Sequence, residues 1–195
     1  MRRPAAHCRA VRRREEPRWR VPQSEESALV VVVPEAEAIV ADVRSQFDRS
    51  AIRGLPAHIT VLYPFRHPGL LSPELMIELR SLFLGCDRFR FSLAGVCGFP
   101  GVVYLAPEPL LPFDLLTRAA AGQFPDTPPY GGAIANPVPH LTIAQQPPAP
   151  CLIEVASRFL FAAGARLPLE CSVSDVALAI KRAGRWSIGP RFSLA

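Results

Sequence analysis

A chain of 195 residues that is 49% hydrophobic has enough apolar material to bury a full core, which excludes disorder for the bulk of it. The formal charge of +5 is local: eight arginines fall in the first 20 residues against Glu15 and Glu16, leaving 14 basic and 15 acidic side chains in the other 175. A long basic groove for polyanions is therefore not expected outside that segment.

Residues 1–24 have no apolar periodicity and read as a disordered, Arg-rich tail, with residues 25–195 forming one bilobal domain. The alternatives for the tail are an electrostatic handle for RNA and a start placed too far upstream. No apolar run follows the arginines that would suit a secretory signal, and none approaches the ~18 residues of a membrane span. The chain is expected to be cytoplasmic, without a membrane partner. Its five cysteines, Cys8, Cys86, Cys97, Cys151 and Cys171, form no Cys-x-x-Cys pair, so neither a disulfide framework nor a structural zinc is expected.

In chain order, Ala28–Val33 reads as a buried strand. A helix follows Pro34, with Ala36, Ile39, Val40, Val43 and Phe47 on one face. A strand is expected over about 57–63, containing His58-Ile59-Thr60-Val61. Ser72-Pro73 supplies an N-cap and first-turn pair for a second helix with Leu75, Met76, Leu79, Leu82 and Phe83 aligned, stopped at Gly85. Phe89, Phe91 and Leu93 alternate as a strand, and Val102–Leu105 is its partner across the turn-prone Gly98-Phe99-Pro100-Gly101.

A third helix is expected at about 113–122. A Pro- and Gly-rich loop leads from it into a second motif strand, His140-Leu141-Thr142-Ile143. Pro150 opens a fourth helix with Leu152, Val155, Ala156, Phe159 and Leu160 on one side, ended near Gly164. Two closing strands, about Val173–Ile180 and Arg185–Phe192, flank a tight turn.

The two His-x-Thr-hydrophobic tetrads account for two of only four histidines. On a strand, alternation puts His58 beside Thr60 and His140 beside Thr142, with Ile59, Val61, Leu141 and Ile143 facing the core. Phosphodiester cleavage needs a base for the attacking oxygen and an acid for the departing one, and imidazole serves either role near neutrality. A hydroxyl beside each ring can hold a non-bridging phosphate oxygen. Zinc would need at least a third protein ligand, and no His or Cys stands at ligand spacing from the tetrads. A serine hydrolase elbow, Gly-x-Ser-x-Gly, is absent.

Two intact tetrads 82 positions apart, each on a strand preceded by a strand and a helix, resemble the 2H phosphoesterase superfamily, above all its bacterial 2′-5′ RNA ligase branch. The resemblance covers about Glu26 to Ala195. It implies an α+β, bilobal, pseudo-twofold fold with two antiparallel sheets facing a central cleft and helices outside. It also implies a metal-independent, cofactor-free enzyme with His58, Thr60, His140 and Thr142 as its site. The implied chemistry is hydrolysis of 2′,3′-cyclic phosphates to 2′-phosphate ends, or cleavage of 2′-5′ linkages, with 2′-5′ ligation as a reverse reaction. Which histidine is base and which acid stays open.

The expected partner is an RNA end or a small cyclic-phosphate nucleotide, bound by a monomer. Tyr63, Phe65 and Arg66, which follow the first tetrad, and Tyr130 in the loop before the second are the candidate substrate contacts, through stacking and phosphate pairing. Lys181, Arg182, Arg185 and Trp186 are expected to form a solvated hairpin rather than a substrate clamp. His67 lacks a Thr partner and is expected to be peripheral. The alternative from another class is a non-catalytic RNA-binding module whose affinity comes from the tail.

Overall fold

A computed structural model describes residues 25–134, 136–145 and 149–195. The expected tail, with His7 and Cys8, lies outside the described residues, and so does the side chain of Cys151. The elements run β1 (Glu26–Val32), α1 (Pro34–Phe47), α2 (Arg49–Ile52), β2 (His58–Leu62), α3 (Pro73–Leu84), β3 (Phe89–Phe99), β4 (Val102–Glu108), α4 (Leu111–Gln123), β5 (Leu141–Gln145), α5 (Ala149–Ala163), β6 (Leu169–Val173), β7 (Asp175–Arg182) and β8 (Arg185–Ser193). No helix among the described residues is long and apolar enough to cross a membrane.

The eight strands hydrogen-bond in the order β6-β3-β4-β5-β2-β1-β7-β8, every neighbour antiparallel. The two sheets expected from the sequence are the halves β5-β4-β3-β6 and β2-β1-β7-β8 of one continuous sheet. They meet at a seam where a single pair, Ile59 with Leu141, is in register. Within each half the same unit recurs: β1, α1 and β2 in one, β4, α4 and β5 in the other.

One face of the sheet carries the main core. Leu29, Val31, Ile59, Val61, Leu105, Leu141 and Ile143 join there with Ala36 and Val40 of α1, Leu79 and Phe83 of α3, Phe113 and Leu116 of α4, and Val155 and Phe159 of α5. The helices cross the seam, for α1 packs against β5 and α4 against β2. Each half is thus covered partly by the other half's helix, which holds the seam together where the ladder is thin. Ser72 caps α3 as expected, its Oγ accepting from the Leu75 amide at 3.3 Å.

The opposite face holds a smaller cluster of Ala28, Val30, Leu55, Ala177 and Ala179. The small side chains of β1 and β7 leave this face open, and the cleft lies over it.

Three sequence expectations differ in detail. Leu169–Val173 is a separate strand at the sheet edge, which the expected strand at about Val173–Ile180 does not include; only Ser174 divides it from β7. Leu160 of α5 is 47% exposed rather than in the core. Arg44, not Val43, is the fully buried residue on the last turn of α1.

Candidate active site

The tetrads meet at the seam. Burial along β2 alternates as expected, with Ile59 and Val61 fully covered and His58 and Thr60 half-exposed; Leu141, Thr142 and Ile143 repeat the pattern. Counting outward from the Ile59–Leu141 pair in an antiparallel ladder sets His58 across from Thr142 and Thr60 across from His140. The two imidazoles occupy opposite corners of a four-residue patch, with a diagonal Cα spacing on the order of 7–8 Å. All four residues line one cleft of about 650 Å³.

Each histidine is held in the same way. His58 Nδ1 lies 2.8 Å from the Pro56 carbonyl oxygen, and His140 Nδ1 lies 2.7 Å from that of Val138, in each case two residues back. A carbonyl only accepts, so Nδ1 is the donor and carries the proton, which leaves the Nε2 lone pair of each ring for the cleft.

Both rings are held neutral. Burial pushes His58 down from 6.5 to about 4, with the positive charge of Arg44 adding to the effect; the Pro56 carbonyl and Asp48 pull the other way. His140 is lowered as well, by burial, against the opposing pull of the Val138 carbonyl.

The charges behind His58 form a built-in network that sequence reading missed. Arg44 and Asp48 are both nearly inaccessible, with Arg44 Nη2 2.9 Å from Asp48 Oδ2. Arg44 also donates to the Leu55 carbonyl at 3.1 Å. Asp48 caps α2 by accepting from the Ser50 amide at 2.8 Å. Glu37, 3.7 Å from Arg44, accepts from the Ala57 amide. The segment leading into β2 is therefore pinned at Leu55 and Ala57, and His58 is positioned through it. The signal was present in the sequence: Arg44 falls on the stripe of Ala36 and Val40, and Asp48 follows it at i+4.

The cleft walls are mixed. Beside His140 the wall includes Phe99, which stacks on the buried Tyr104 with centroids 4.4 Å apart, and both rings meet His140 edge-on at 5.3 Å. The lining also includes Tyr63, Tyr130 and Trp186, with the charged Glu26, Asp48, Arg49, Arg53 and Lys181. Tyr63 Oη donates to Glu26 Oε2 at 2.7 Å and Lys181 Nζ to Glu26 Oε1 at 3.1 Å. Burial, and then the Glu26 hydrogen bond and charge, push the Tyr63 hydroxyl up to about 12, so it remains a donor.

Of the candidate substrate contacts, Tyr63 and Tyr130 line the cleft. Tyr130 is set there by a left-handed backbone (φ +53°) and by donating its amide to the Tyr63 carbonyl at 2.6 Å. Phe65 does not reach the cleft: it is 6% exposed and packs on Phe124 in the core. Arg66 also lies away from it, paired with Asp126 at 3.2 Å and stacked on the Phe124 ring. The reason is that β2 ends at Leu62: past it the chain bends, with the Phe65 amide donating to the Ser27 carbonyl at 2.8 Å, and the strand's alternation no longer applies.

The hairpin of β7 and β8 departs from the solvated reading. Arg182 and Arg185 are exposed, but Lys181 and Trp186 line the cleft. Gly54 (φ +99°) makes this approach possible, since a Cβ there would sit 3.1 Å from the Trp186 carbonyl oxygen. His67 is peripheral, facing Glu25 at 3.9 Å. Among the described residues no three His, Cys, Asp or Glu side chains gather as a metal site.

The model of the 2′-5′ RNA ligase superfamily matches residues 32–185. The chain belongs to this superfamily. The match spans both tetrads and both halves of the sheet. Among solved structures, the superfamily member is similar to TT0787 of Thermus thermophilus, with 22% identity, 87% of this chain and 97% of that one covered, and a TM-score of 0.58. It is also similar to E. coli LigT complexed with 3′-AMP (16% identity, 88% and 99% covered, TM-score 0.55) and to a structure described as a phosphoesterase (16%, 88% and 99%, TM-score 0.54). At these identities the likeness shows the 2H phosphoesterase fold. No curated protein matches the chain.

Proposed function

We propose that the chain is a metal-independent phosphodiesterase acting on nucleoside or RNA 2′,3′-cyclic phosphates, or on 2′-5′ linkages, with His58 and His140 as general base and acid. The observation that carries this reading is the twin arrangement of the two imidazoles, each locked through Nδ1 and each offering Nε2 to one cleft.

In hydrolysis, one Nε2 takes a proton from water as the water oxygen bonds to phosphorus. The P–O3′ bond breaks and the other ring, as imidazolium, protonates O3′, leaving a 2′-phosphate. On a 2′-5′ linkage the neighbouring 3′-hydroxyl attacks instead, giving the cyclic phosphate and a free 5′-hydroxyl; ligation is the reverse. Thr60 and Thr142 hydrogen-bond the non-bridging oxygens, where charge develops. Both rings are neutral in the open cleft, and the anionic phosphate raises the proton affinity of whichever ring becomes the acid.

The cleft suits a nucleotide-sized ligand. LigT, similar in fold, has been solved with 3′-AMP, with NADP+ and with ATP. The near-neutral body favours a terminal or small substrate over a long RNA. All four tetrad residues come from one chain, so a monomer suffices.

The test is turnover of nucleoside 2′,3′-cyclic phosphates and a short 2′-5′-linked oligonucleotide with chelator present. His58→Ala and His140→Ala are each expected to lower the rate on the order of 10²–10⁴-fold while staying folded. An inert wild type that still binds RNA in a salt-dependent way, with or without the histidines, overturns the reading in favour of a binding module.

A further inference from the structure

We infer that the Glu26–Lys181 end of the cleft is a guanine-recognition pocket, so that the preferred substrate carries guanosine at the reacting phosphate. The inference rests on the phosphodiesterase reading above and adds the base that the site selects.

The pocket has two kinds of wall. Tyr63 meets Tyr130 at 6.5 Å and 70°, and Trp186 at 6.4 Å and 62°, so three half-buried rings bound one space. Bases stack on such rings whatever their identity, which supplies affinity without selection.

Selection needs edge contacts, and the polar pair supplies them. Glu26 and Lys181 are directly paired across β1 and β7, and both line the cleft. Lys181 is only 8% exposed, with Nζ 5.9 Å from the Trp186 ring centroid, so its ammonium is fixed rather than swinging in solvent. Glu26 is fixed from two sides by Tyr63 and Lys181. A carboxylate only accepts, at about four lone-pair sites, and an ammonium only donates, through three N–H groups.

The four bases answer this pair unequally. A carboxylate beside an ammonium matches an edge with two adjacent donors next to an acceptor. Guanine has that edge: N1–H and the N2 amine for Glu26, and O6 for Lys181. Adenine and cytosine offer one amine donor, and uracil one N–H between two carbonyls. A buried charged pair also discriminates against a base that leaves one of its members unanswered.

The cleft offers a second stacking surface in Phe99 beside His140, so stacking alone does not place the base, and its placement at Glu26 and Lys181 rests on the edge contacts.

The experiment measures kcat/KM for the 2′,3′-cyclic phosphates of guanosine, inosine, adenosine, cytidine and uridine. Guanosine is expected to lead by about tenfold or more, and inosine, which lacks only the N2 amine, to fall toward the others. That comparison uses the wild-type chain alone. Glu26→Gln is expected to close the guanosine–inosine gap, and Lys181→Met to bring the guanosine-to-cytidine ratio toward one. Equal turnover of all five, or a guanosine preference that both variants keep, overturns the pocket while leaving the phosphodiesterase reading in place. If nothing is turned over, that reading falls, and the pocket is decided by calorimetry with guanosine 2′-monophosphate and cytidine 2′-monophosphate: tighter guanosine binding that Glu26→Gln abolishes supports it, and equal affinities overturn it.

Discussion

Ile59 and Leu141, both with no exposed surface, face each other across the seam and set the register in which each tetrad histidine stands opposite the other tetrad's threonine. A hydroxyl from each half then flanks the space between the rings. Thr60→Val and Thr142→Val keep shape but lose the donor, and each is expected to lower kcat about 10²–10³-fold in steady-state assays. Because the hydroxyls face the cleft, thermal melts should hardly move.

On the proposed mechanism the two rings act on one event, so their losses should not add. The His58→Ala, His140→Ala double variant is expected to fall within about tenfold of the worse single variant, whereas independent contributions would multiply. Single-turnover rates on one cyclic phosphate decide between these.

The pH dependence follows from rings that are both depressed. On the proposed mechanism the productive form has one neutral and one protonated ring, and in the free chain His58 takes up its proton near pH 4 and His140 below its usual 6.5. The kcat/KM profile, which reports the free enzyme, is therefore expected to peak on the acid side of 6.5 and fall as pH rises through neutrality. The kcat profile reports the complex, where the phosphate charge favours protonation, so its alkaline limb should lie at higher pH. Coincident profiles would sink this account.

Arg44 and Asp48, 2.9 Å apart and both buried, pin the segment before His58. Removing one partner leaves a charge with no answer: Asp48→Asn or Arg44→Leu is expected to cost about 3–5 kcal/mol in urea titrations. The double variant should cost less than the sum of the two. In a folded Arg44→Leu chain the acid limb attributed to His58 should move up in pH, because a positive charge that lowers its proton affinity is gone.

Ala183 carries a left-handed backbone (φ +48°) beside Gly184 (φ +77°) in the hairpin turn between β7 and β8. Two positive φ values suit Asn-Gly better than Ala-Gly. Ala183→Asn is expected to stabilise the chain by about 1 kcal/mol, read from a denaturant midpoint at constant slope.

Much of this molecule is legible in its residues because its periodicities are clean. The β-branched tetrads alternate, Ser72-Pro73 announces α3, and the apolar stripe of α1 is regular up to Val40. What escaped is what local pattern does not encode. Glu26 and Lys181 are 155 positions apart and become partners only when β1 inserts between β2 and β7. Phe65 resembles a stacking ring because it is aromatic and near His58, yet the turn after Leu62 sends it into the core. Trp186 is masked by Arg182 and Arg185, whose exposure is real but does not extend to the ring that follows them.

The floor of the cleft reads the same from either end: imidazole, hydroxyl and a carbonyl lock, then the same set in reverse. A substrate strand laid on it could run either way and meet the same kinds of group, although only His58 is backed by the Arg44 and Asp48 charges. The rims are less alike: three rings stand with Glu26 and Lys181, while Phe99 stands beside His140. On the proposed mechanism, side chains that never touch the reacting phosphorus then bias strand polarity, and exchanging the character of the two rims should turn the substrate around.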